Sequence, residues 1–349
     1  MHGGGRWGER AGWSRQAKLD YLSRVCKSQW HAILIKLFES PQILGKFEQL
    51  FDDLNKKQNY YEILIAILIL SVLGRVPTLE ILVDLAGPRV LETGFKRDSA
   101  IREMIDFNSG EVRLRSSVAG EFILKRIADP NATVQTLISL AKAAHKLKAV
   151  SLYYSDMLRV LSRFGNLQTL LPEAGRGKAI LHYYETIKVF DFYQTNPLFW
   201  LQYAIACLFF EDFDRADKYF DAAYSFAKKM QSYDSYQIDN HYARYLLMRA
   251  IHSGDASKCM ADFRNARTII LTQMQKERLY YPFRVATALL QFYQAFAPSL
   301  NDDQKNEIVR LAKTISDRIA KLPELQQRNR YVASCWKSMQ VILQAQNSP

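Results

Sequence analysis

The chain has 349 residues, of which 48% are hydrophobic and 23% are charged, and its formal net charge is +12 at pH 7. This length allows about two domains, and the composition is that of a globular protein. The longest apolar run, at residues 63–73, is much shorter than the roughly 20 residues of a membrane-spanning helix, so we expect a buried helix and no membrane partner. The four cysteines show no CxxC spacing, which predicts no metal site and favours a reducing cytoplasm.

The amino-terminal part of the chain is predicted to contain three segments. Residues 1–16 are rich in glycine and lack the apolar core of a signal peptide, so we predict a disordered segment. Residues 17–59 are predicted to form a helical segment. Residues 60–129 form a third segment, which begins with predicted helices at 60–73, 77–85 and 96–105.

A change of hydrophobic period follows the third of these helices. Residues 104–107 and 111–115 suit two short strands, and Asn108, Ser109 and Gly110 between them suit a tight turn, because Asn and Gly tolerate a positive φ. A helix is predicted at 117–127, with Ser116 or Ser117 as its N-cap. Three helices followed by a β-hairpin is the order of a winged helix. The alternative is a small helical subdomain with an incidental hairpin.

The most regular pattern lies in residues 197–229. Large side chains recur at helical intervals on a first helix, and small or aromatic ones recur on a second. Packed helices lie about 8–10 Å apart, depending on the contacting side chains, so alanines at the contact allow close approach. The predicted core positions of this helix pair are Trp200, Tyr203, Ala204, Cys207, Ala216, Phe220 and Ala223.

This spacing resembles a tetratricopeptide helix pair, which implies a protein-binding scaffold. One pair cannot bury both of its apolar faces, and a second copy occurs at 243–271, with Phe263 and Ala266 among its core positions. A third pair is predicted at 283–297 and 303–322, with a terminal helix at 331–344. We therefore predict an all-α chain with a small β-hairpin, in which a winged-helix-like unit (60–129) precedes an α-solenoid of tetratricopeptide-like pairs (130–349). A simple helix-bundle core is the alternative interpretation.

The order of helical segment, winged-helix-like unit and repeats resembles the carboxy-terminal part of bacterial STAND-type P-loop NTPases. These are signal-transducing switch proteins, and many act in antiphage defence. The segment at 28–54 is similar to the helical lid that follows their nucleotide-binding core. The resemblance implies that Arg115, where the hairpin meets the next helix, contacts nucleotide phosphates; an ordinary surface arginine is the alternative.

No GxxxxGK[ST] motif occurs in the sequence, and the run Gly175–Lys178 lacks the required spacing and the Ser or Thr ligand for Mg²⁺. We therefore expect no cofactor in this chain and no ATP hydrolysis by it. If the resemblance holds, the chain is a fragment, or one half of a split gene, whose NTPase domain lay upstream.

The leading hypothesis is a non-enzymatic sensor that binds a protein or peptide ligand and relays that event to a nucleotide switch. The candidate groove residues are Gln202, Asn240, His241, Tyr242 and Arg244. The alternative is a DNA-binding regulator, which the net charge favours. The near-neutral third helix of the winged-helix-like unit opposes it, because a major-groove helix usually offers basic and amide side chains. An enzyme is not expected, since no catalytic arrangement stands out.

Overall fold

The computed structural model describes residues 12–24, 29–88, 93–108, 111–276 and 280–346. It is mostly helical and contains one two-stranded antiparallel sheet, which confirms the predicted class of an all-α chain with a small β-hairpin. The chain divides into two compact units, Met1–Thr195 and Asn196–Pro349. The predicted disordered segment lies outside the described residues up to residue 11, and a helix already begins at Arg15.

The helices and strands follow one another in this order. The first unit contains α1 (Arg15–Arg24), α2 (Trp30–Phe38), α3 (Pro41–Asn55), α4 (Gln58–Val72), α5 (Leu79–Ala86), α6 (Thr93–Arg97), α7 (Ser99–Met104), β1 (Ile105–Asn108), β2 (Glu111–Leu114), α8 (Ser117–Arg126), α9 (Pro130–Leu147), α10 (Leu152–Leu161), α11 (Phe164–Leu170), α12 (Arg176–Ile187) and α13 (Asp191–Gln194). The second unit contains α14 (Pro197–Phe209), α15 (Phe213–Lys229), α16 (Tyr236–Ser253), α17 (Ala256–Gln275), α18 (Tyr281–Ala286), α19 (Ala288–Phe296), α20 (Asp302–Ala320), α21 (Glu324–Gln327) and α22 (Arg330–Gln346).

The core of the first unit is built around α4. Every side chain from Ile63 to Leu70 is fully buried, as expected for a helix that is apolar on all sides. The helices α3, α5, α8 and α9 pack against it. Because α9 packs on α4, α5 and α8, it belongs to this unit, and the predicted domain boundary at residue 130 does not coincide with the division at Thr195.

The hairpin pairs Ile105 with Leu114 and Asn108 with Glu111. Ser116 is the N-cap of α8, since its hydroxyl accepts a hydrogen bond from the Ala119 N–H at 3.2 Å. The prediction of one continuous helix over 96–105 is wrong. The helix is interrupted at Asp98, whose carboxylate accepts the Ile101 N–H at 3.3 Å and forms an ion pair with Lys57 at 2.6 Å.

Gly120 allows α8 to approach α4 and β2 closely. A Cβ atom at this position would lie 2.6 Å from Leu114 Cδ2 and 3.1 Å from Val72 Cγ2. We expect Gly120→Leu to lower the free energy of unfolding by about 1–3 kcal/mol, because the core would be overpacked. Gly45 lies in α3 with no atom within 4 Å of an added Cβ, so Gly45→Ala should raise that free energy by roughly 0.5–1 kcal/mol. Urea unfolding measures both, and equal stabilities of the two variants would contradict the packing argument.

Three tyrosine hydroxyls satisfy carbonyl groups at the end of α10. Tyr193 Oη donates to the Leu158 carbonyl at 2.8 Å. The side chains of Tyr183, Tyr184 and Tyr193 are all fully buried. The last carbonyls of a helix have few intrahelical partners. The Leu158 carbonyl also accepts the Ser162 N–H at 3.1 Å, and the tyrosine hydroxyls supply further donors to these buried groups. The other two donors are Tyr183 to Leu161 at 3.3 Å and Tyr184 to Ser162 at 2.8 Å.

In the second unit, α14 packs extensively against α15, and α16 against α17. The alanines at 204, 216 and 223 are fully buried between the first two helices, where the rings of Tyr203 and Tyr219 stack at 4.0 Å. Phe220, Phe263 and Ala266 are also fully buried. Trp200 is half-buried, and its ring stacks on those of Tyr219 and Phe226 in α15.

The third predicted pair differs from the expected one. Residues 283–297 do not form a single helix, because α18 ends at Ala286 and α19 begins at Ala288. The next helix, α20, packs most extensively against α22, while α18 and α19 contact both α16 and α22. The continuous α-solenoid therefore stays a prediction.

Candidate binding groove

The five candidate groove residues do not share one surface. The side chain of Asn240 is 1% exposed, and its Nδ2 donates to the Tyr236 carbonyl at 2.7 Å. This burial corrects the prediction that Asn240 contacts a ligand, because the apolar spacing indicated the face of α16 toward α17 but not that α16 also packs on α15, α18 and α19. Tyr242 lies among aromatic rings, 5.5 Å from that of Phe220. Gln202 is half-buried on α14.

His241 and Arg244 do come together with residues of α18. The Tyr281 hydroxyl lies 2.9 Å from His241 Nε2. Beside them a groove of about 450 Å³ opens between α16, α18, α19 and α22. We call it the arginine groove, and its lining includes Arg244, Met248, Tyr281, Arg284, Ala288, Gln291, Ser334 and Ser338.

Local helix geometry explains how each element contributes to the arginine groove. Arg244 and Met248 are four residues apart on α16, and Ser334 and Ser338 are four residues apart on α22. Residues at this spacing lie on one face of a helix. Sequence reasoning missed the residues of α18 and α22, since an i, i+4 spacing shows a shared face but not the partner of that face.

Arg244 and Arg284 line the groove, and neither forms an ion pair with any residue that the structure describes. Within residues 12–24, 29–88, 93–108, 111–276 and 280–346, no carboxylate lies within 4.0 Å of either guanidinium group. Burial, together with the positive charges of Arg244 and Arg284, lowers the pKa of His241 to about 3. His241 is therefore neutral at pH 7, so the positive charge of the groove comes from arginine.

Aromatic rings flank Arg284. Its guanidinium carbon lies 5.6 Å from the centre of the Tyr281 ring and 5.4 Å from that of Tyr331. The guanidinium carbon of Arg330 lies 4.6 Å from the centre of the Tyr331 ring. Cation–π contacts of this kind favour a guanidinium group that lies over the ring face. They therefore hold the guanidinium group of Arg284 in place although the side chain is exposed.

The structure places Arg115 at the end of the hairpin, where it is exposed. Its backbone N–H donates to the Met104 carbonyl at 2.9 Å, and its Nε donates to the Arg102 carbonyl at 3.2 Å. Ser116 already accepts one N–H of the first turn of α8. A role of Arg115 in phosphate contact remains a prediction.

Neither a cluster of metal-ligand side chains nor a membrane-spanning helix occurs in the described part of the chain. There, no group of three or more His, Cys, Asp or Glu side chains is arranged to hold a metal ion. None of the helices in the same part of the chain combines the length and apolar character needed to cross a lipid bilayer.

Comparisons with known proteins do not assign a family to the chain. No protein-family model matches it. Neither the curated proteins nor the solved structures contain a significant match to it.

Proposed function

We propose that this chain is a non-enzymatic binding module that recognises a protein or peptide ligand in the arginine groove. The observation that carries this proposal is the groove itself, which four helices of the second unit line with exposed or half-buried polar side chains and with apolar side chains that are half-buried or buried. The volume of about 450 Å³ falls within the range of roughly 300–1,000 Å³ that is usual for ligand pockets.

The packing around the groove supports a preformed site. Arg249 of α16 pairs with Asp262 of α17 at 2.6 Å and with Asp217 of α15 at 3.4 Å. Asp239 of α16 accepts hydrogen bonds from Tyr224 at 2.8 Å and from Gln273 at 2.6 Å. These contacts join α15, α16 and α17, of which α16 also lines the groove. A rigid scaffold reduces the entropy that binding would otherwise cost.

The sequence resemblance to STAND-type NTPases supports a sensory role for this binding. In that proposal the second unit binds the ligand, and the first unit relays the event to a nucleotide switch supplied by an upstream NTPase domain, in the bacterial cytoplasm and in the context of antiphage defence. The chain itself carries no P-loop motif. Gly175, with φ 71°, starts α12 rather than a phosphate-binding loop after a strand.

The alternative of a DNA-binding regulator receives less support. The net charge and the winged-helix order favoured it, and the structure has two short helices, α6 and α7, where one recognition helix was predicted. Two of the acidic groups are already paired, Asp98 with Lys57 and Glu103 with Lys46. Exposed cations on these short helices are Lys96, Arg97 and Arg102.

A groove-filling substitution tests the proposed function. Peptides would first be selected from a displayed random library with the immobilised full chain. Their affinity would then be measured by fluorescence anisotropy against wild type, Ala288→Trp and Ser225→Trp. Ala288 lines the groove, whereas Ser225 is exposed on α15. We expect Ala288→Trp to weaken binding about tenfold or more and Ser225→Trp to leave it unchanged.

Two results would contradict the proposal. One is the absence of any enriched peptide, and the other is wild-type affinity in Ala288→Trp. The unfolding midpoints of both tryptophan variants serve as the control for folding, since a variant that unfolds cannot report on the groove.

A further inference from the structure

The arginines of the second unit are mostly paired with carboxylates outside the groove. Arg249 pairs with Asp262, and Arg215 with Asp212. Arg264 and Arg267 share the carboxylate of Glu307, at 3.1 and 3.3 Å. Among the described residues, no carboxylate lies within 4.0 Å of Arg244 or Arg284, and they differ from the likewise unpaired Arg310 in that both line one groove.

The electrostatic effects on neighbouring groups show that both charges act at one place. The positive charges of Arg244 and Arg284 lower the pKa of His241 in addition to its burial. The same two charges also oppose the burial that raises the pKa of Tyr281. A ligand beside Tyr281 would therefore experience both guanidinium groups together.

Neutral hydrogen-bond donors complete the lining. Ser334 and Ser338 of α22 and Gln291 of α19 line the groove, and in the described part of the chain their side chains make no hydrogen bond. Two serine hydroxyls and one amide can each donate to an acceptor oxygen. The groove thus combines two fixed charges with several free donors.

We infer that the arginine groove binds a phosphorylated serine or threonine side chain of the protein partner. This inference rests on the proposed function, because it names the chemistry of the same ligand. A phosphate monoester carries about −1.5 to −2 charge at pH 7 and three strong acceptor oxygens, which matches Arg244 and Arg284 together. A single carboxylate carries one charge and would leave one guanidinium uncompensated. Planar guanidinium groups also bind phosphate through two parallel hydrogen bonds.

The first test compares three short degenerate peptide libraries with the full chain by fluorescence anisotropy. The libraries share their composition and differ only in a fixed central residue, which is phosphoserine, glutamate or serine. We expect the phosphoserine library to bind about tenfold or more tightly than the serine library. Arg244→Gln and Arg284→Gln should each remove most of this preference.

Arg310→Gln is the matched control for loss of charge. Arg310 is exposed on α20, lies outside the groove and has no ion-pair partner among the described residues. It should keep the preference for phosphoserine. If Arg310→Gln weakens binding as much as Arg244→Gln, the attraction is a general effect of positive charge and the inference is wrong.

The pH dependence separates phosphate from carboxylate. The second pKa of a phosphate ester is about 6, so affinity for the phosphoserine library should fall between about pH 7.5 and pH 5.5. Affinity for the glutamate library should stay constant, because glutamate has a pKa of about 4.3. The groove adds no titration of its own in this range, since the pKa of His241 is lowered to about 3. The other titratable or charged groups around it are Arg244 on α16, Tyr281 and Arg284 on α18, and Arg330 and Tyr331 on α22.

The outcomes distinguish this inference from the proposed function. If phosphoserine and serine libraries bind equally and Ala288→Trp still blocks them, the groove binds peptides but not phosphate, and only the inference fails. If phosphoserine binding persists in Ala288→Trp, the groove is not the site and both fail. Absence of binding by all three libraries also overturns the inference. The proposed function is tested separately, by the selection of displayed peptides.

Discussion

Replacing Phe263 with alanine is expected to lower the free energy of unfolding of the second unit by about 3–5 kcal/mol. The Phe263 side chain is fully buried and its ring stacks on that of Phe292 at 5.5 Å. Phe263 lies in α17 and Phe292 in α19, so the stack joins a regular helix pair to the helices that line the arginine groove. The loss combines the transfer free energy of the ring with the cavity left behind.

Thermal and urea unfolding, followed by circular dichroism, would measure this change. Leu325→Ala is the control, because Leu325 is 83% exposed and substitutions at such surface positions usually change stability by no more than about 0.5 kcal/mol. Equal stability of the two variants would show that the stack of Phe263 on Phe292 is not part of the core. Phe263→Leu should be intermediate, since it retains part of the buried volume.

Alkaline solution is expected to destabilise the first unit steeply through its buried tyrosines. Burial raises the pKa of Tyr183 and Tyr193 above their usual value of 10. Below about pH 10 both groups keep their protons in the folded and the unfolded states, and stability is unaffected. Above about pH 10 the unfolded state loses the tyrosine protons that the folded state retains. Stability should therefore fall by about 1.4 kcal/mol per pH unit for each tyrosine.

Tyr193→Phe tests this effect at two pH values. At neutral pH it should lower the free energy of unfolding by about 0.5–1.5 kcal/mol, because the Leu158 carbonyl loses the hydroxyl donor and keeps only the Ser162 N–H at 3.1 Å. Above pH 10 the stability of this variant should fall less steeply than that of wild type, by about 1.4 kcal/mol per pH unit. Urea unfolding at a series of pH values measures both. An unchanged slope in Tyr193→Phe would show that Tyr193 does not retain its proton in the folded state.

Tyr293→Phe is the control for removal of a hydroxyl group at neutral pH. Tyr293 is half-buried on α19, and its hydroxyl makes no hydrogen bond within the described part of the chain. The stability of the Tyr293→Phe variant at pH 7 should be close to that of wild type. A loss equal to that of Tyr193→Phe would contradict the assignment of the effect to the Leu158 carbonyl.

The elements that could be predicted share a strong local signal. The apolar run at 63–73 lies within or next to α4 and is buried through Leu70, because a helix without a polar face has no surface to present to water. The turn chemistry at 108–110 indicated the hairpin, and the described strands on either side of it pair. In both cases the residues that determine the local structure are adjacent in the sequence.

The errors arose where a contact distant in sequence competed with that local signal. The continuous helix expected at 96–105 is interrupted because Asp98 caps α7 and pairs with Lys57, which is 41 residues earlier. The predicted helix at 283–297 divides between Ala286 and Ala288, where α18 and α19 each pack on both α16 and α22. Periodicity does not report either interaction.

By itself the sequence determined the helical class, the hairpin and the two pairs α14–α15 and α16–α17, since periodic apolar residues and small residues at the contact specify which helix faces meet. Only the tertiary structure decided which polar residues reach a common surface. It buried Asn240, turned Tyr242 toward the aromatic core, and brought Arg244 beside Arg284. The physical reason is that a binding groove forms between elements, so its residues depend on how α16, α18, α19 and α22 pack rather than on the spacing within any one of them.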